Sequence, residues 1–345
     1  MQKKIKIKFV DFWDTFNPED NLFIQLLKDK YEIELSEQPD YLFFSVFGDE
    51  NLSYDCVKIF YTGENQSPDF NLCDYAIGYD YLSFGDRYIR FPYYYFALPE
   101  VDKVLGRDRT FTSENLALKT DFCSFVYSNN YASPEREEFL LKLSEYKKVS
   151  SGGKYKNNVG GPVVDKLKFQ LVHKFSIAFE NASRTGYTTE KLLESFAAQT
   201  IPIYWGDPLI GLVFNEDTFI NCHNYSSFDE VIERVKQIDA DNTLYLKMMQ
   251  NPILINTSDT REHKVEQLRL FLWNIFDQPI SLAVRYSRYY WQARNIKKMR
   301  DWRNAYNRSF FGLLHRFYKK FIWKQRRHNL LLWRFDRILK YIAYK

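Results

Sequence analysis

Cysteine is scarce in this chain. The four present (Cys56, Cys73, Cys123 and Cys222) stand far apart in 345 residues, with no C-x-x-C pair. That spacing contains no metal or redox motif, argues against a disulfide framework and suits a reducing compartment. The five histidines (His173, His223, His263, His315, His328) lack ligand spacing, so no metal site is expected from them. No uncharged apolar run approaches the length of a membrane span. The start, MQKKIKIKFVDFW, is basic but has no apolar h-region. Its Lys/Ile alternation has the period of a strand, so no signal peptide is expected and the protein is expected to stay in the cytoplasm. Internal repeats are absent, and so are heptads.

What is present bounds the fold. At 345 residues, two domains of ordinary size are the natural expectation. Apolar content of 45% is globular, and an aromatic share of 18%, mostly Phe and Tyr, suits sugar stacking as well as core filling. Charge is uneven. From Ser281 onward there are 18 Lys+Arg against 2 Asp+Glu, leaving 30 and 42 for residues 1–280. The body therefore carries about −12 and the last 65 residues +16, which the overall +4 conceals.

The first 118 residues alternate strands with polar segments. IKIKFVDFW, YEIEL, YLFFSVF, VKIFYTGEN, YAIGYDYL and RYIRFPYY read as strands, and Asp20 to Lys30 as a helix. Pro99 to Lys119, with its charged KVLGRDR, reads as a linker. A second α/β domain, 119–278, opens with the strand FCSFVYSN, and Pro134 then starts the helix EREEFLLKLSEY. FINCHNY reads as a strand, FDEVIERVKQI and HKVEQLRLFLWNIF as helices. Asp239-Ala240-Asp241 is formally a D-x-D, but at a helix end it reads as a helix-terminating turn.

The stretch from Phe175 to Pro208, FSIAFENASRTGYTTEKLLESFAAQTIPIYWGDP, is the most informative. It reads as strand, polar loop, helix and strand, a right-handed crossover between parallel strands. Such sheets bind ligands where strands end and helices begin. The loop there carries Glu180, Asn181, Arg184, Tyr187, Glu190 and Lys191, and a helix N-terminus with a lysine favours an anion. These residues specify a site for a phosphate-bearing ligand.

FEN, a short polar loop, Y-x-T-E-K, a helix and P-I-Y-W-G-x-P together resemble the donor-binding signature of the α-1,3/4-fucosyltransferases, glycosyltransferase family ten. The similarity runs from about Ile5 to about Asn274. It implies an α/β fold in the GT-B arrangement, two Rossmann-like domains facing across a cleft. The first would bind acceptor and the second GDP-fucose. It also implies inverting transfer of L-fucose to the 3-hydroxyl of N-acetylglucosamine in N-acetyllactosamine-type glycans. The product is of Lewis x type, on a bacterial surface polymer such as lipopolysaccharide. Another donor or an α-1,4 linkage in the same fold, and a non-catalytic sugar-nucleotide- or carbohydrate-binding protein, are the alternatives.

The resemblance assigns roles residue by residue. VKIFYTGENQSP is similar to the family's Y-T-G-E-N-x-S-P motif, which makes Glu64 the general base; Gln66 stands where relatives often have a second Glu. Lys191 matches the family's E-K pair as counter-charge to the diphosphate. Arg136 is a second phosphate contact, with a surface salt bridge as its alternative role. Glu190 is assigned to the donor and to positive charge developing on fucose, with Tyr187 and Asn181 flanking the same pocket. Glu180 has a structural reading. Gly152 and Gly153 fit either close approach to a ligand or a plain turn, and His223 a pocket edge. No obligatory metal or other cofactor is implied, because cationic side chains replace it.

Residues 279–345 form a basic, aromatic-rich tail. Phe310, Leu313, Leu314, Phe317 and Phe321 make one helical stripe, and Leu331, Phe335, Ile338 and Ile342 another, with Arg334, Arg337 and Lys340 off that line. Basic amphipathic helices suit an anionic membrane surface, here the inner face of the cytoplasmic membrane. No nucleic-acid motif accompanies the charge. On this reading a cut near Asp277 leaves a soluble enzyme; the alternative is that Tyr286 to Trp302 returns to brace the first domain.

Overall fold

A computed structural model describes residues 2–97, 104–105, 110–128, 130, 132–256, 260–310, 312–314 and 317. The first domain contains β1 (Lys3–Val10), α1 (Leu22–Lys28), β2 (Tyr31–Leu35), β3 (Tyr41–Phe44), β4 (Val57–Tyr61), β5 (Tyr75–Gly78), β6 (Tyr88–Arg90) and α2 (Tyr93–Ala97). Its six strands pair in parallel in the order β2-β1-β3-β4-β5-β6. The Lys/Ile alternation of β1 buries Ile5 and Ile7 and leaves Lys4 and Lys6 exposed, as a strand's period of two dictates. Central β3 and β4 are buried throughout. RYIRFPYY yields only three strand residues. Pro92 has no N–H for the sheet, and its carbonyl instead accepts from Tyr95 in the first turn of α2.

The second domain contains α3 (Ser113–Ala117), β7 (Asp121–Phe125), α4 (Glu135–Tyr146), β8 (Val149–Ser151), α5 (Lys166–Leu171), β9 (His173–Phe179), α6 (Glu190–Ala197), β10 (Ile201–Trp205), β11 (Ile220–Asn221), α7 (Phe228–Ala240) and α8 (Asn242–Gln250). Five parallel strands run β11-β10-β9-β7-β8, and α6 is the crossover between β9 and β10. The linker read at Pro99–Lys119 contains α3, which a capping box at Thr112 and Asn115 starts; residues 98–103 and 106–109 lie outside the described residues. FINCHNY pairs at two residues only, because the Asn221 side chain accepts from the His223 N–H and turns the chain. Asp239 is bound by Lys174 (2.7 Å), Lys147 and the Tyr146 hydroxyl, and Asp241 caps α8. The D-x-D is a helix-to-helix turn.

Two helices lie elsewhere than their place in the sequence suggests. α9 (Arg261–Asp277) falls inside the span 119–278 but packs on the first domain. Its Phe276 ring sits 4.3 Å from that of Tyr41, and Asp277 binds Lys30 (2.6 Å) and the Tyr31 hydroxyl (2.8 Å). After α10 (Ile280–Ala283) the chain crosses fully buried Asp74, whose Oδ1 accepts from the backbone N–H groups of Arg285 (2.7 Å) and Tyr286 (3.2 Å). Arg288 donates to Asp74 Oδ2 at 3.3 Å. α11 (Tyr290–Arg308) then lies on the same domain, with Arg300 and Arg303 donating to the carbonyls of Leu52 (2.7 Å) and Asp49 (2.8 Å). The early tail is therefore a brace, the alternative raised for Tyr286 to Trp302. Of the first stripe, Phe310, Leu313 and Phe317 are exposed, while Phe321 and the stripe from Leu331 lie outside the described residues. No described helix is long and apolar enough to cross a membrane.

Candidate active site

The C-terminal ends of the two sheets face each other across a cleft of about 440 Å³. The first domain supplies Trp13 and Thr15 beyond β1, Phe47 beyond β3, Gly63 and Glu64 beyond β4, and Tyr93 of α2. The second supplies Tyr127 and Ser128 beyond β7, Lys166 of α5, Asn181 beyond β9, and Tyr187, Thr189, Glu190 and Lys191 where α6 begins. Four of the expected residues from the second domain thus meet Glu64 from the first in one cavity.

The start of α6 is held from beneath by Glu180. This fully buried carboxylate accepts from the Thr189 N–H (2.7 Å), the Thr189 hydroxyl (2.8 Å to Oε2) and Lys191 Nζ (3.0 Å). Lys191 also donates to the Thr189 hydroxyl at 2.7 Å and lies 3.5 Å from Glu190 Oε1. Thr189 is the N-cap residue, yet its side chain makes no cap bond to the helix. Its hydroxyl is spent on Glu180, which leaves the positive end of the helix dipole to whatever occupies the cleft. Burial works against the Lys191 charge, but Glu180 and then Glu190 outweigh it and keep the ammonium protonated. Burial raises the Glu180 pKa, opposed by Lys191 and the Thr189 donors.

Glu64 follows β4, and its N–H donates to the Thr62 hydroxyl at 3.0 Å. The residue stays open to solvent at the cleft mouth, while the surrounding walls desolvate its carboxyl enough to raise its pKa. Lys191 opposes that shift and Glu190 adds to it, so the three groups act on one another across the domain boundary. Burial also disfavours the Glu190 charge, but Lys191 and the first-turn backbone hold that carboxyl below its ordinary value. The two cleft carboxylates are driven in opposite directions, Glu64 toward accepting a proton and Glu190 toward staying ionised.

Tyr187 is buried, and its ring centroid lies 5.3 Å from that of Tyr79 of the first domain. Arg136 stands behind the lining. It is 2% exposed, stacks over Tyr127 at 4.4 Å and donates to Asn181 Oδ1 at 3.2 Å. A surface salt-bridge role does not fit that burial. Gly153 approaches protein rather than open cleft, since a Cβ there would fall 1.9 Å from the Tyr127 carbonyl oxygen. His223 lies 3.2 Å from the Gly206 carbonyl at the end of β10, a bracing position. Among the described residues no group of three or more His, Cys, Asp and Glu is placed to hold a metal ion.

Sequence reasoning missed the aromatic wall of Trp13, Phe47 and Tyr93, and the cation Lys166. For Trp13 and Phe47 the usable signal was their place just past the C-terminal ends of β1 and β3. For Lys166 it was Asp165, whose side chain caps α5 by accepting from the Lys168 N–H.

Residues 7–97 match the alpha-(1,3)-fucosyltransferase FucT N-terminal domain, and residues 116–268 the C-terminal part of glycosyltransferase family 10 (fucosyltransferase). The chain is 34% identical over 304 residues to the alpha-(1,3)-fucosyltransferase FucT of Helicobacter pylori, covering 76% of this chain and 63% of that one. It is 35% identical over 132 residues to the human 4-galactosyl-N-acetylglucosaminide 3-alpha-L-fucosyltransferase 9, covering 37% and 36%. The crystal structure of an alpha1,3-fucosyltransferase with GDP-fucose superimposes with a TM-score of 0.69 at 30% identity, covering 83% of this chain and 94% of that one. The chain thus spans less than two thirds of the length of the curated relatives it matches, 63% for the Helicobacter pylori protein and 36% for the human one. Both family matches fall on the two sheets whose strand ends face across the cleft, and the two-domain GT-B arrangement is shared with a solved relative; the chain belongs to glycosyltransferase family 10, the fucosyltransferases.

Proposed function

We propose that the protein is an inverting α-1,3-fucosyltransferase. It would move L-fucose from GDP-fucose to the 3-hydroxyl of N-acetylglucosamine in N-acetyllactosamine-type glycans, giving Lewis x type structures on a bacterial surface polysaccharide. The carrying observation is that Glu64 of one domain and Glu190 and Lys191 of the other line the same cleft. The names of the relatives support the donor and the linkage.

In this reading Glu64 removes the acceptor hydroxyl proton as that oxygen attacks the anomeric carbon of fucose. The bond to the phosphate oxygen breaks on the opposite face, GDP leaves with the electron pair, and the anomeric centre inverts. Lys191 and the start of α6 face the growing charge of the departing diphosphate, and the Arg136–Asn181 contact stiffens the wall beside them. Ionised Glu190 stabilises positive charge on the fucose ring. Cationic side chains take the place of a metal, and no cofactor is assigned.

The reading also seats the protein on the inner face of the cytoplasmic membrane. Trp291 and Trp302 of α11 are 72% and 59% exposed, and Lys298 lies on the same helix face, chemistry suited to an anionic lipid surface.

The test is incubation with GDP-fucose, with and without N-acetyllactosamine, in the presence of a chelator. Expected are acceptor-dependent GDP release and a fucosylated product whose NMR spectrum gives an α-1,3 linkage. Binding of GDP-fucose without transfer to any type 1 or type 2 disaccharide would favour a non-catalytic binding protein. A strict requirement for Mn²⁺ or Mg²⁺ would overturn the metal-free mechanism.

A further inference from the structure

A second concavity, about 510 Å³, lies beside the catalytic cleft and is lined by both domains. Two chain segments line both cavities. Gly63 and Glu64 face the cleft while Ser67 and Pro68 face the second cavity, and Tyr187 faces the cleft while Arg184 and Thr185 face the second cavity. Glu64 and Ser67 are three residues apart, so at most about 11 Å of chain separates the base from this cavity. Asn65 stands between them and accepts from the Tyr79 hydroxyl at 3.0 Å.

Half of the lining residues are polar, and the rest are Pro68, Leu82 and the aromatics Phe70 and Tyr81. Tyr81 is 39% exposed, and the Arg90 guanidinium, held by the Tyr79 carbonyl at 2.9 Å, braces its ring at 4.1 Å from the centroid. Leu82 beside it is exposed, and Phe70 completes the apolar wall. Arg184 and Asp80 also line it, 3.9 Å apart and joined through the Ser67 hydroxyl. The charges of that pair offset each other, which disfavours a free anion. A site that offers an exposed aromatic ring together with fixed hydroxyl, carboxylate and guanidinium groups matches a pyranose. Its C–H face is apolar and complements the π face, and its edge carries hydroxyls that both donate and accept.

We propose that this concavity is a subsite for sugar units of an oligosaccharide acceptor next to the one that reacts, and that Tyr81 is its stacking platform. The proposal rests on the transferase reading above and deepens it. The enzyme then prefers an acceptor of two or more N-acetyllactosamine repeats to the single disaccharide, and the preference belongs to Tyr81 rather than to the catalytic cleft.

The experiment uses the full chain and its Tyr81→Ala, Tyr81→Phe and Leu82→Ala variants. It measures kcat/KM for the disaccharide and for a tetrasaccharide of two repeats, and the Kd of the tetrasaccharide without donor. Expected is a preference of about tenfold for the tetrasaccharide. Tyr81→Ala removes it and Leu82→Ala reduces it, with disaccharide kcat/KM and the KM for GDP-fucose within twofold of wild type. Tyr81→Phe retains it, because that variant keeps the ring while losing the contact of the hydroxyl with the Leu209 carbonyl. No length preference in the wild type, or equal losses on both acceptors, overturns the proposal. Absence of transfer to either acceptor refutes the transferase reading instead. The donor-free Kd then decides the subsite, weakened by Tyr81→Ala if the site binds glycan and undetectable or unchanged if it does not.

Discussion

Lys191 Nζ donates to Glu180 Oε2 at 3.0 Å inside the protein, joining the end of β9 to the first turn of α6. The pair does two jobs with one set of bonds. It pins the helix start through Thr189, and it fixes a protonated ammonium at the edge of the cleft.

Removing Lys191 leaves the Glu180 charge buried without its counter-ion, and removing Glu180 leaves the Lys191 ammonium with the more distant Glu190 at 3.5 Å. Glu180→Ala is expected to lower stability by roughly 3–5 kcal/mol, read by denaturant unfolding, and to weaken GDP binding because α6 loses its anchor. Lys191→Ala should weaken GDP and GDP-fucose binding together. A Glu180 variant with wild-type GDP affinity would limit that residue to the fold.

Glu64→Gln keeps shape and removes the base. Turnover should fall on the order of 10²-fold or more, with GDP affinity little changed. Burial favours the protonated form of Glu64, so its pKa lies above the ordinary 4.5. The base is lost as pH falls through that raised value, and the acid limb of kcat/KM should sit above pH 4.5. Comparable loss of GDP affinity in the variant would make Glu64 a donor residue and place the base elsewhere.

Gly186 has φ of +83°, and a Cβ there would lie 2.5 Å from the Tyr79 carbonyl of the other domain. Gly186→Ala combines backbone strain with a clash across the domain seam. Stability should drop by about 1–3 kcal/mol, and turnover should fall with it, since the loop that carries Tyr187 is strained and the seam to Tyr79 is forced apart. Equal thermal stability in the variant would show that the seam yields.

Cutting the chain near Asp277 is expected to destabilise it, contrary to the simple tail reading, because Asp74 would lose Arg285, Tyr286 and Arg288 together. A cut after Ser309 keeps α11 and its bonds to Asp49 and Leu52. That shorter protein should fold, retain activity and bind anionic vesicles less tightly than the full chain. Sedimentation with vesicles and thermal unfolding of both truncations would decide.

Lys58 is the second residue of β4, 2% exposed, and burial presses its pKa down to about 8. The unfolded chain, with lysine near 10.5, binds more protons between those values, so stability should rise with pH from about 8 to 10.5. Lys58→Met should flatten that rise and stabilise the protein at pH 7 by roughly 1–3 kcal/mol. Unfolding curves across that pH range check the sign.

Local patterns carried much of this protein. Strand alternation in KKIKIKFV, the apolar runs YLFF and HKFSIAF, and the FEN to WGDP crossover specify their own elements, because burial on one or both faces of a strand leaves a mark in adjacent residues. Glu64, Asn181, Tyr187, Glu190 and Lys191 were singled out through the family motifs around them, at strand ends and helix starts, and the fold brings all five to one cleft. Tertiary structure decided what depends on residues far apart in the chain. Only packing places α9 and α11 on the first domain, since Phe276 meets Tyr41 and Arg285 meets Asp74 across more than two hundred residues. Only packing puts Arg136 behind the cleft lining and sets Trp13, Phe47 and Tyr93 opposite the charged wall. Their neighbours come from other segments, and burial and desolvation are properties of the assembled surroundings, which no window of sequence contains.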